Sequence, residues 1–221
     1  MDFLEYENST AILDQSGVQQ LGFFVSQCSV EVYKFMEIKN ITLSATPKSS
    51  RELSYQAYDQ NLFSGDYSST LSDANNKQNY ILSRTNCSLT LKELDNKGYP
   101  ITIVSISNDK NNFQSLLWDS SHSFKRMKNN KRSNADISSI FLARNLALNG
   151  VKFFCFSNDS DQINQFRIEG YKYLRPSDFL TWMVKDNYIT RQKGVWCYEK
   201  AKKHNLRWME KNRKFSDILN K

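Results

Sequence analysis

Histidine is almost missing from this chain: His122 and His204 are the only two, and neither neighbours a cysteine. That disfavours zinc sites and catalytic triads, both of which draw on histidine. Cys28, Cys87, Cys155 and Cys197 are scattered without a C-x-x-C pair, so neither a metal knuckle nor a disulfide framework is indicated. No run approaches the roughly 18 apolar residues of a membrane span. The opening "MDFLEYENST" is acidic where a secretory signal would be basic and then apolar, so the expected compartment is the cytoplasm.

The chain does have enough apolar and aromatic residues for a real core. Its 221 residues are 39% hydrophobic and 13% aromatic, which suits one large domain with an appendage. Charge is unevenly spread: residues after 180 carry 11 Lys and Arg against 4 Asp and Glu, an excess equal to the whole net charge of +7. A basic tail of this kind attracts polyanions such as a phosphate backbone, and it is also how a solvated helix face looks. We therefore divide the chain into a domain over residues 1–183, with a polar insertion at about 65–86, and a basic, aromatic-containing extension over 184–221.

Strand and helix candidates alternate. Ala11 to Leu13 reads as a short buried strand ended by Asp14, and "ITLSATP" from Ile41 as a second. Tyr99 to Ile106, "VKFFCF" from Val151 and "YKYLRP" ending at Pro176 supply three more. Between the first two, Leu21, Phe24, Val25, Cys28, Val32 and Phe35 recur at helical spacing. Ser49 or Ser50 is placed to cap a helix with Glu52 in its first turn. "ADISSIFLARNLALNG" is the clearest helix, with Asn134 as its cap and Gly150 as its stop. This order predicts an α/β fold with a mainly parallel central sheet, whose ligands bind at the carboxyl ends of the strands.

The acids fall at those ends. Asp14 closes the first strand, Asp159 and Asp161 follow the fourth, and Glu52 and Asp136 open helices beside them. Each alone fits a turn or a cap, and "SNDSD" taken by itself is an ordinary polar turn. Together they would repel one another unless a cation held them. Oxygen ligands without His or Cys select Mg²⁺ or Mn²⁺, whose chemistry is phosphodiester hydrolysis.

In this order "AILDQSG", "SRELSYQ", "NADISSIFLA" and "SNDSDQI" resemble the acidic motifs of the PIN domain nucleases, from about Ala11 to about Leu180. The chain differs from the family pattern at Gln15-Ser16-Gly17 and at Gln162, where an aromatic often follows the last Asp. The resemblance implies a Rossmann-like α/β/α sandwich and a metal-dependent ribonuclease acting on single-stranded or looped RNA. Asp14, Glu52, Asp136 and Asp159 would be catalytic, with Asp14, Asp136, Asp159 and Asp161 as the metal set.

Lys125, Arg126, Lys128, Lys131 and Arg132, with Lys200, Lys203 and Arg207 of the tail, are the expected RNA contacts. Trp196, Tyr198, Trp208 and Phe215 would either stack on bases or pack a helix face, the latter favoured for Trp208 and Phe215. RNA is the expected partner, with an antitoxin-like protein inhibitor or a second copy as further partners. The alternative is a catalytically weak or inactive PIN-like module that binds RNA or protein.

Overall fold

A computed structural model describes residues 2–14, 31–47, 101–104, 134–204 and 214–219, with Gly17, Phe24, Ser49 and Asn96; residues 134, 135 and 200–204 are described by their backbone alone. A 3₁₀ turn at Phe3–Tyr6 leads into β1 (Ser9–Leu13), a helix α1 covers residues 31–38, and β2 (Ile41–Ala45) and β3 (Ile101–Ile103) follow. Then come α2 (Asn134–Leu148), β4 (Phe153–Phe156), α3 (Ser160–Ile168), β5 (Tyr173–Leu174), α4 (Pro176–Lys185), α5 (Arg191–His204) and α6 (Phe215–Leu219).

The five strands form one sheet in the order β3-β2-β1-β4-β5, and every pairing is parallel. Strand order reverses at β1, between β2 and β4, and this is where ligands bind in open α/β sheets. Both faces are covered, as an all-parallel sheet requires, which is why β1 and β4 read as nearly unbroken apolar runs. On one face Ala11, Leu13, Ile41, Leu43, Phe154, Phe156 and Leu174 pack against α1 and α4 through Phe35, Met36, Phe179 and Trp182. On the other, Ile12 and Cys155 meet Ile137, Ile140 and Ala143 of α2 and Phe166 of α3. The result is an α/β/α sandwich.

The first core is sealed around Trp182. Its ring stacks on Phe3 at 5.6 Å and meets Phe35 edge-on at 4.8 Å, while its Nε1 donates to Asp186 at 3.2 Å. Lys39 joins Glu7 (2.6 Å) to Asp186 (2.5 Å), with its ammonium 5.5 Å from the Trp182 ring. Helices α2 and α3 end alike. Gly150 and Gly170 have φ of +69° and +75°, and the next residue returns its N–H to the last turn: Val151 to Leu146 at 2.9 Å, Tyr171 to Phe166 at 2.8 Å. Arg144 then ties the two helices with a two-pronged bond to Glu169 at 2.7 and 2.6 Å.

The described part of residues 184–221 belongs to this same body. Ile189, Cys197, Tyr198 and Phe215 are buried in the first core, and Tyr198 stacks on Phe215 at 4.9 Å. Phe215 is thus a packing residue, as its spacing suggests. Tyr198 is one too, so it is not available to stack on a base, whereas Trp196 stays 48% exposed. Trp208 lies outside the described residues. No helix among the described residues is long and apolar enough to cross a membrane.

Candidate functional site at the carboxyl edge of the sheet

Three of the four ladders continue one residue past their strands. Asp14 donates its N–H to the Phe156 carbonyl (3.2 Å), Ser157 to Leu174 (3.3 Å) and Val104 to Ala45 (3.0 Å). Extending the register by that residue aligns Val104, Thr46, Asp14, Ser157 and Arg175 in one row across the carboxyl edge. In-register residues of a parallel sheet share a face, and two positions earlier stand Ile12 and Cys155, which face α2 and α3. The row therefore faces the cleft between the N-termini of those two helices.

Side-chain bonds agree with that direction. Ser157 Oγ donates to Asp14 Oδ2 at 2.9 Å and in turn accepts the Asp159 N–H at 2.9 Å. Thr46 Oγ1 shares a hydrogen bond of 2.6 Å with Ser138 in the first turns of α2, and Ser49 shares one of 3.3 Å with Ser139. Asp136 stands in the first turn of α2, and Asp159 caps α3 by accepting the N–H groups of Asp161 (2.7 Å) and Gln162 (3.1 Å). The buried Cys155 thiol has its pKa pushed well above the usual thiol range, first by burial and then by the negative charge of Asp14, Asp136 and Asp159.

The fit is nonetheless looser than a closed ligand cage. Among the described residues, no three acids, histidines or cysteines stand close enough to hold a metal ion by themselves. Asp159 is exposed and its Oδ1 serves the helix cap, while Asp161 follows it into the helix. Glu52, Lys125, Arg126, Lys128, Lys131, Arg132 and Arg207 lie outside the described residues, as does the insertion at about 65–86, and the side chains of Lys200 and Lys203 are likewise not described.

The helix after β2 is capped three residues earlier than its sequence suggests. Pro47 and Ser49 are already helical, and Ser49 N–H donates to Thr46 Oγ1 at 3.1 Å, so Thr46 is the cap and Pro47 takes the first helical position. Proline's fixed φ suits that place. Helix α2 likewise already includes Asn134 in its first turn.

Reading acids alone also passes over Thr46 and Arg175. The signal that singles out Asp14, a polar residue directly after an apolar strand, applies equally to Arg175, which places a cation at the end of the row.

The Asp159 cap gives a stability prediction. Asp159→Ala should destabilise the fold by about 1 kcal/mol, whereas Asp159→Asn, an equally good cap, should change it by no more than a few tenths. Urea unfolding of the two variants checks this; equal midpoints would show that the cap contributes nothing.

No family model, curated protein or solved structure matches this chain.

Proposed function

We propose that the carboxyl edge is the active site of a Mg²⁺- or Mn²⁺-dependent ribonuclease that hydrolyses phosphodiester bonds in single-stranded or looped RNA. The observation that carries the reading is the row of Thr46, Asp14, Ser157 and Arg175 across the carboxyl edge, with Asp14 buried and bonded to Ser157 at the point where strand order reverses.

The donor chemistry suits such an ion. It consists of carboxylate and hydroxyl oxygens, and Mg²⁺ keeps several waters and binds through one or two carboxylates together with substrate phosphate, so a full protein cage is not required. When bound, the ion would supply Lewis-acid polarisation of the phosphate and activation of a water.

The protein's own share is positional. Ser157 holds the buried Asp14 carboxylate in one orientation. The N-terminus of α2 directs its partial positive charge to the same edge, where a phosphate is favoured. Arg175, at the end of the row, adds a full positive charge. RNA as the substrate rests on the PIN-like motifs, and the basic residues after 180 suit a phosphate backbone.

A second reading has its own support. With Asp159 engaged as a cap and no closed group of three ligands among the described residues, the edge also suits a module that binds RNA without cutting it. Incubating the purified chain with labelled single-stranded RNA in Mg²⁺ or Mn²⁺, and in parallel with chelator, separates the two. Cleavage that requires the metal is expected; retention of intact RNA under all conditions would favour the binding module.

A further inference from the structure

Gln162 is wholly buried, yet neither its Nε2 nor its Oε1 has a hydrogen-bond partner among the described residues. A carboxamide brings two donors and an acceptor with two lone pairs, and interior groups of this kind are nearly always satisfied. Its position in α3 says where the amide is directed. Gln162 lies four residues ahead of Phe166, whose ring belongs to the second core, so the two share the stripe that faces the sheet. Long helical side chains lean back toward the helix N-terminus. That end of α3 follows β4 at the carboxyl edge, beside Ser157 and Asp14. The amide is therefore directed toward the carboxyl edge, on the sheet face to which Asp14 and Ser157 belong.

The partner must be small, since the side chain is enclosed, and it must both give and accept a hydrogen bond, since both ends of the amide are unpaired. Water satisfies both conditions. We propose that Gln162 holds an internal water beneath the Asp14–Ser157 pair and through it fixes the orientation of the Asp14 carboxylate. Gln162 is thus a positioning residue, and its effect on catalysis rests on the ribonuclease reading above.

The test compares Gln162→Met, which keeps volume and flexibility but has no donor, with Gln162→Glu, which is isosteric and, buried near carboxylates, carries a proton to donate. A crystal structure of the wild-type chain should show a water bonded to Gln162 and to Asp14 or Ser157. Gln162→Met should lower the melting temperature by about 3–6 °C, turn Asp14 away from Ser157, and reduce kcat about tenfold at unchanged KM for RNA, in the range of a positioning effect. Gln162→Glu should recover part of each loss.

An unchanged or higher melting temperature in Gln162→Met would mean that the amide holds nothing, and would overturn the inference. A lower melting temperature with Asp14 in place and kcat intact would overturn the positioning role. If the wild-type chain cuts no RNA, the ribonuclease reading falls separately, and the water and the orientation of Asp14 in Gln162→Met still decide this inference.

Discussion

Asp14→Asn is expected to lower metal-dependent RNA cleavage by about a thousandfold or more, the scale of losing a group that stabilises charge in the transition state. Asp14 ends β1 at the reversal of strand order, is buried, and accepts a hydrogen bond from Ser157 at 2.9 Å. Asparagine keeps its shape and an acceptor for Ser157 while removing the charge that a cation needs. The folded state should not suffer, because the buried side chain keeps its volume and its bond with Ser157 while a buried charge is removed. The same change should let the Cys155 thiol titrate lower, though burial, the larger cause, remains. Cleavage rates on one RNA, with metal-free thermal melts of both proteins, provide the measurement. Wild-type cleavage by Asp14→Asn would sink the assignment, and a collapsed fold would show that the carboxylate is there for structure.

Gly17→Ala should destabilise the protein by about 2–4 kcal/mol, which is large for the addition of one methyl group. Gly17 has helical backbone, and in a helix interior the same change is ordinarily stabilising by about 1 kcal/mol, so even the sign of the effect is diagnostic. The reason is contact. A Cβ at Gly17 would collide with the Phe156 carbonyl oxygen and come within 2.8 Å of its carbon and 2.9 Å of the Phe156 ring. The carbonyl cannot rotate aside as a side chain does, because it accepts the Asp14 N–H that carries the β1–β4 ladder into the site. Any shift that makes room moves Asp14 and Ser157 apart, so cleavage should fall along with stability. Urea unfolding decides the first point, and a midpoint equal to or above that of the wild type would show that the helix yields without strain.

How much of this was legible in the sequence depends on the range of the interaction that fixes each feature. Strand β4 announces itself as an apolar run closed by polar residues, since a strand buried on both faces has no room for polar side chains, whereas β2 and β3 mix apolar residues with threonines. Strand ends shift by a residue or two: β1 begins at Ser9, before Ala11, and β4 at Phe153, after Val151. The stop of α2 at Gly150 is local chemistry and was readable. The cap after β2 was not, because three hydroxyls stood within five residues and only the contacts of Thr46 with Ser49 and Ser138 distinguish among them. Tyr198 could have faced RNA or the core by its spacing. Its stacking on Phe215, seventeen residues away, placed it in the core.

The sequence by itself determined the alternation of strands and helices, and with it the position of Asp14 and Asp159 after strands and Asp136 at a helix start, because burial patterns and turn chemistry act over a few residues. Only the tertiary structure decided that Asp14 stands in one row with Thr46, Ser157 and Arg175, with the first turns of α2 and α3 at the same edge. That grouping comes from the register of parallel strands far apart in the chain, where a slip of one residue would turn every side chain of the row to the opposite face.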